Sequence, residues 1–387
     1  MGNFEYHIPT DVYFGKGQIC RLGERISSLA KKVLLVYGGG SIKRTGLYDA
    51  ILRQLRQAGV EVFELAGVEP NPRIQTVRKG VAVCKEEGVG AVLAAGGGST
   101  IDCAKAVAAG ACYGGDAWDL VLDGGKIKKA LPVATVLTLA ATGSEMDGFA
   151  VISDMEKHEK WGTGSELTKP VFSILDPQYT FSVSAYQTAA GSCDIMSHTL
   201  ENYFNNTKGA FLQARLAEGI LKTVIQYAPV AVKHPDDYEA RANLMWASSL
   251  AINGLISYGE NTAWTVHPME HELSAFYDIT HGAGLALLTP YWMEYILSGK
   301  TVGKFAEYGV NVWNADPSQE PMAIAKEAIA KTRAFFLSLG MPGHLGELGI
   351  DAAHFDVMAE KAANGGLQYA FVPLTKADVK KIFTMAL

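Results

Sequence analysis

Five side chains in this chain could share one task. Asp194 and His198 come first, and His267, His271 and His281 follow about seventy positions later. Asp194 and His198 stand four apart, as do His267 and His271, so on a helix each pair lies on one face, one turn apart. His281 stands in Thr280-His281-Gly282-Ala283-Gly284, where the glycines let backbone come close to something. A lone buried His is ordinarily a satisfied core residue; shared spacing sets this group apart. Imidazoles with a carboxylate suit Fe²⁺ or Zn²⁺ better than Ca²⁺ or Mg²⁺. Spacing alone leaves five candidates for the site. A metalloprotease would need Glu directly after the first His of a His-x-x-x-His pair. Here Pro268 stands after His267, and Tyr277 falls where the extended motif has its third ligand. Two uses remain. One is a metal-activated hydrolase. The other joins metal polarisation of an oxygen to hydride transfer from a nicotinamide.

Two glycine loops favour the second. Lys32 to Tyr37 is a continuous apolar run that ends in Gly38-Gly39-Gly40-Ser41, and Ala91 to Ala95 runs into Gly96-Gly97-Gly98-Ser99-Thr100-Ile101-Asp102. A buried strand, a triple glycine and a helix start make a phosphate cradle, because free N–H groups and the helix dipole face the anion. Neither loop is Gly-x-Gly-x-x-Gly. A single loop of this kind serves equally as a tight turn, but two on one sheet favour a dinucleotide. Ser99 is expected to cap the second helix, with Asp102 at capping-box spacing. No carboxylate follows the first strand, where one would bind ribose hydroxyls. Lys43 and Arg44 follow instead, which leans towards NADP(H).

These residues need two kinds of scaffold. Strand and helix patterns alternate from Val33 to Thr142, predicting a doubly wound α/β domain over residues 1–183. Phe4 to Phe14 reads as an edge strand or hairpin. Phe149 to Ser153 and Val171 to Leu175 read as a later strand pair. From Ser184 the pattern becomes helical: 185–204, 210–227, 238–252, 262–276, 290–297, 322–339, 352–364 and 376–385. Residues 184–387 are therefore expected to form an all-α domain that carries the metal.

Composition excludes other classes. The 387 residues suit two domains. Net charge is −6, and no dense basic block is present, which argues against a nucleic-acid or anionic-membrane surface. The five cysteines contain no Cys-x-x-Cys, so a reducing compartment fits. No signal peptide and no long apolar stretch is visible, so a cytoplasmic protein is expected.

The motifs quoted so far span nearly the whole chain. With Pro9 to Gly17, Glu69-Pro70-Asn71-Pro72, Thr138 and Thr142-Gly143-Ser144-Glu145, the sequence resembles the iron-containing (group III) alcohol dehydrogenases, most closely the NADP-dependent butanol dehydrogenase/aldehyde reductase branch. The resemblance implies a dehydroquinate synthase-like fold. It implies Asp194, His198, His267 and His281 as the metal ligands, with His271 beside the substrate as a proton-relay group, suited by its ordinary pKa near neutrality. It places Asn71, Thr138, Thr142 and Lys160 on the cofactor side with the two glycine loops. It also implies a homodimer. The expected activity interconverts short-chain aldehydes and primary alcohols with NADP(H), substrate lying in a cleft between the domains. Trp264, Phe149, Phe276 and Tyr179 are candidates for its apolar walls. The rivals are a glycerol or polyol dehydrogenase of the same fold and a non-redox metal hydrolase.

Overall fold

The computed structural model describes residues 1–387. Met1–Tyr6 apart, the α/β unit begins with strand β1 (Asp11–Phe14) and helix α1 (Leu22–Leu29). It continues through β2 (Lys32–Tyr37), α2 (Ser41–Arg44), α3 (Leu47–Gln57), β3 (Glu61–Leu65), α4 (Ile74–Glu87), β4 (Ala91–Gly96), α5 (Gly98–Ala111), α6 (Ala117–Leu122) and β5 (Val133–Leu137). Strands β6 (Phe149–Asp154), β7 (Glu159–Gly164) and β8 (Phe172–Leu175) complete it.

Six strands form one parallel sheet in the order β1-β8-β5-β4-β2-β3. Helices cover both faces, so the central strands are apolar on both sides. Along β2, Leu34 and Val36 join the core under α4 and α5, while Val33, Leu35 and Tyr37 join the core under α1 and α3. From β2 the chain moves outward to β3, then crosses back to β4 on the other side. The order therefore reverses between β2 and β4, and the carboxyl ends of such a pair are where ligands bind in open α/β sheets. Both glycine loops leave from these two ends.

The expected pairing of 149–153 with 171–175 does not occur. Phe149–Asp154 pairs antiparallel with β7 in a separate two-stranded sheet, and Phe172–Leu175 enters the main sheet between β1 and β5. Strand β7, Glu-Lys-Trp-Gly-Thr-Gly, is polar and glycine-bearing, and its hairpin partner supplies what propensity does not. Only Asp11–Phe14 of the expected N-terminal strand forms.

The helical unit contains α7 (Ala185–Tyr203), α8 (Phe211–Lys233), the end of α9 (Tyr238–Ile252), α10 (Val266–Tyr277), α11 (His281–Ile296), α12 (Val302–Trp313), α13 (Pro321–Ser338), α14 (Phe355–Ala363) and α15 (Lys376–Met385). Helix α7 is buried along nearly its whole length. Helix α11 starts nine residues before the expected 290. Its glycines, expected to let backbone come close to something, serve packing: a Cβ on Gly282 would lie 2.0 Å from the Ala190 carbonyl oxygen of α7. Helix α12 has no counterpart among the expected elements.

Two segments change sides relative to a split at residue 183. Met1–Tyr6 belongs with the helical unit, and His234–Ser249 belongs with the α/β unit. Met245 is part of the core under α4 and α5. No helix is long and apolar enough to cross a membrane.

Candidate active site

In the helical unit, α7 presents Asp194 and His198 one turn apart, as their spacing predicts. Helix α10 presents His267, and His281 is the first residue of α11. The imidazole Nε2 atoms of His198, His267 and His281 lie 3.4, 3.8 and 3.9 Å from Asp194 Oδ1. Asp194 Oδ1 and His267 Nε2 are buried with no hydrogen-bond partner. A buried polar atom without a partner costs free energy, and here two such atoms face the same point. Ligands about 2.1 Å from a tetrahedral ion sit roughly 3.4 Å apart, so the donors fit a divalent ion such as Zn²⁺ or Fe²⁺. Burial would raise the Asp194 carboxyl, but His198, with His267 and His281, holds it far below its ordinary range.

His271 stands on the same face of α10. Its ring centroid lies 6.2 Å from that of His267 and 5.6 Å from that of His281. Trp264 meets His267 and His198 edge-on, at 4.7 and 5.5 Å. Of the other expected wall residues, Phe276 packs near His354 at 5.0 Å. Tyr179 belongs to the sheet core, where burial pushes its hydroxyl up to about 12. Phe149 is exposed on β6 of the α/β unit.

Two carboxylates at this centre are not apparent from spacing. Glu201 meets His267 Nδ1, and Glu270 meets His281 Nδ1. Burial would lower the His267 imidazole, but Glu201 and Asp194 raise it to about 9.

In the α/β unit, Gly38–Ser41 follows β2 and Gly96–Gly98 follows β4; Tyr37 and Ala95 are direct neighbours in register. Helix α5 begins at Gly98 with Gly97 as its cap, and no side chain caps it. The expected Ser99 cap is thus displaced by two residues. A Cβ on Gly98 would meet Thr142 at 2.4 Å, so the helix start and the loop after β5 close together only with glycine there. Thr138 N–H donates to the Gly96 carbonyl at 3.0 Å. An uncapped helix start at the switch point fits a pyrophosphate.

Asp102 serves differently from a cap. Its two oxygens accept from Ser144 Oγ at 2.6 Å and from Val151 N–H at 2.9 Å. Burial pushes its carboxyl up to about 6 against the pull of Lys105, Ser144 and Val151. It ties α5 to the β5 loop and β6. Asn71 and Lys160 are both buried, and Lys160 Nζ donates to Asn71 Oδ1 at 3.0 Å. Strand β7, which the sequence pattern misses, is what brings Lys160 there.

The first loop has a carboxylate nearby after all. Glu64, from the adjacent strand β3, accepts from Tyr37 Oη at 2.6 Å and Tyr48 Oη at 2.7 Å. Lys43 Nζ lies over the same two rings. Sequence distance hides Glu64, because parallel pairing of β2 with β3 brings it in.

Known proteins resemble this chain over its whole length. The family model for iron-containing alcohol dehydrogenase matches residues 9–177, and that for the C-terminal domain of the Fe-containing alcohol dehydrogenase family matches 188–387. The chain is 56% identical to NADH-dependent butanol dehydrogenase A of Clostridium acetobutylicum, over 99% of each chain. It is 41% identical to NADPH-dependent aldehyde reductase YqhD of Escherichia coli, over 95% of this chain and 94% of the other. The crystal structure of NADH-dependent butanol dehydrogenase A from Thermotoga maritima superposes with a TM-score of 0.95 at 39% identity, covering 100% of this chain and 99% of that one. An α/β unit with two glycine loops at its switch point, a helical unit with one carboxylate among three imidazoles, and full-length similarity to alcohol dehydrogenases lead to one assignment: the chain belongs to the iron-containing alcohol dehydrogenase family.

Proposed function

We propose that the chain interconverts short-chain aldehydes and primary alcohols with NADP(H), using a divalent metal held by Asp194, His198, His267 and His281. The observation that carries this reading is the meeting of three Nε2 atoms and Asp194 Oδ1, two of the four donors being buried without hydrogen-bond partners. When bound, the ion would supply Lewis-acid polarisation of the substrate oxygen, and the nicotinamide would supply or accept hydride. The chain's own residues do the rest. Gly96–Gly98 and the start of α5 receive the pyrophosphate. Gly38–Ser41 receives the adenosine ribose, with Thr138, Thr142 and the Asn71–Lys160 pair on the cofactor side. Asp102 holds the β5 loop in place for them. Trp264 screens the imidazoles from water on one side. His271 relays a proton between the substrate oxygen and solvent.

Support for NADP(H) over NAD(H) comes from the first loop. It carries no acidic residue of its own, and Lys43 and Arg44 are exposed beside it. Glu64 is engaged by two phenol hydroxyls. The curated relatives include both NADH- and NADPH-dependent enzymes, so the test compares the two directly. Apo-protein reloaded with Fe²⁺ or Zn²⁺ is assayed with butanal, and NADPH or NADH oxidation is followed by absorbance. The expected result is a higher kcat/KM with NADPH; equal or better rates with NADH would remove the cofactor assignment. Glycerol and 1,3-propanediol in the reverse reaction test the polyol alternative. His267→Ala is expected to lose metal and activity together, and full activity in that variant would sink the ligand set.

A further inference from the structure

The buried carboxylates of Glu201 and Glu270 lie at the metal centre and have no place in the ligand set. We infer that they are positioning residues: each fixes the tautomer and angle of one imidazole, and together they set the charge that the metal meets. This inference rests on the proposed ligand set.

Each contact runs through Nδ1, on the side of the ring away from Asp194. Glu201 meets His267 Nδ1, and Glu270 meets His281 Nδ1. Nδ1–H then donates to the carboxylate, which leaves the Nε2 lone pair for an ion bound beside Asp194 Oδ1. An outer carboxylate of this kind orients the ring and makes the imidazole a more basic ligand. Glu201 and Glu270 are 3% and 0% exposed, so water screens them little. With Asp194 they place three buried carboxylates around the three imidazoles, so a divalent ion would meet acidic groups on more than one side.

The two carboxylates are built differently. Glu201 lies one turn beyond His198 on α7, and it also starts α10. Its Oε2 accepts from Thr265 N–H and, at 2.9 Å, from Val266 N–H; its Oε1 accepts from His267 N–H at 3.3 Å. Its Oε1 also accepts from Ser197 Oγ at 3.4 Å, but Oε2 meets only backbone N–H donors, so an amide that keeps its oxygen on His267 would turn an NH₂ group towards the Thr265 and Val266 N–H groups. Glu270 has a more adaptable second partner, the Ser274 hydroxyl. A hydroxyl both donates and accepts, so Gln at position 270 can keep its oxygen on His281 and donate to Ser274. Space for this group is provided on α11: a Cβ on Gly284 would lie 2.8 Å from Glu270 Cγ. Glu270→Gln therefore removes the carboxylate while keeping the contacts to His281 and Ser274, and Glu201→Gln also disturbs the start of α10.

The test measures Zn²⁺ affinity of the full-length apo-protein by chelator competition, alongside thermal melting of the apo form and the d–d spectrum of the Co²⁺ form. Glu270→Gln is expected to melt like wild type as apo-protein, to bind one Zn²⁺ about 10–100-fold more weakly, and to shift the Co²⁺ bands. Glu201→Gln is expected to lose affinity by at least as much and also to melt lower without metal. Unchanged Zn²⁺ affinity and unchanged Co²⁺ bands in Glu270→Gln would overturn the inference. If that variant does not fold, Ser274→Ala, which frees Glu270 to turn, is expected to lose affinity several-fold, and wild-type affinity there overturns it instead. His267→Ala separates this inference from the ligand set beneath it. Zn²⁺ retained at full affinity in that variant refutes the ligand set itself. Zn²⁺ lost there but bound normally by both Gln variants refutes only the role of the two glutamates.

Discussion

Glu145 is fully enclosed in the α/β unit. One oxygen accepts from Ser249 Oγ, and the other is buried with no partner. Burial pushes its carboxyl up to about 7; Asp147 adds to the rise, and Ser249 and Lys105 oppose it. Folded chain thus holds this proton more tightly than unfolded chain. The stability it contributes is complete below the ordinary Glu value and is lost as pH rises towards 7. Glu145→Gln cannot ionise, so its stability relative to wild type should improve by about 1–3 kcal/mol between pH 5 and pH 8. Denaturant melts of both proteins at the two pH values check this, and a difference that does not change with pH would refute it. At the same scale, the site was legible where chemistry follows a local period. The four-residue spacing of Asp194 with His198, and of His267 with His271, marks helix faces directly. Glu201, Glu270 and Glu64 carry no such mark, because their partners arrive through packing of separate helices or pairing of separate strands.

Elements show the same division. Continuous apolar runs identify β2, β4 and β5, because strands buried on both faces have no choice of composition. Strand β7 is polar and depends on its hairpin partner, so only tertiary structure reveals it. Helix α11 hides its first half behind Gly282 and Gly284, residues that weaken helix propensity while permitting close approach. Gly282→Ala tests that trade. Its Cβ would meet backbone, the Ala190 carbonyl, at 2.0 Å, so α11 must shift from α7. Overpacking of this kind should cost about 1–3 kcal/mol and should weaken Zn²⁺ binding, since His281 begins the shifted helix. Calorimetry and the same chelator competition read both effects; an unchanged melt would show that the contact gives way without cost.

For the whole molecule, the fold class was legible from the switch between strand–helix alternation and purely helical pattern near residue 184. The exchange of segments was not, because a helix pattern does not say which core the helix joins. His234–Ser249 lies beyond that switch yet belongs with the α/β unit. A fragment of residues 1–183 therefore lacks Met245, which is fully buried in its core, and Ser249, which bonds Glu145. Vacating a buried Met site costs about 2–5 kcal/mol. Expressed alone, this fragment should show weakened near-ultraviolet circular dichroism and a lower, broader melt than the same unit in the full chain. A sharp melt at the full-chain temperature would show that the segment is dispensable.

Asp194 and His198 belong to α7, His267 to α10 and His281 to α11. Any ion bound by all four residues is consequently also a fastener between segments far apart in sequence. It closes long loops in the way a disulfide does, and the stability gained from such closure grows slowly with loop length. A disulfide answers to the redox state of its surroundings. This fastener would answer to the supply of metal, so that in a metal-starved cell the protein would become inactive and easier to unfold in a single step.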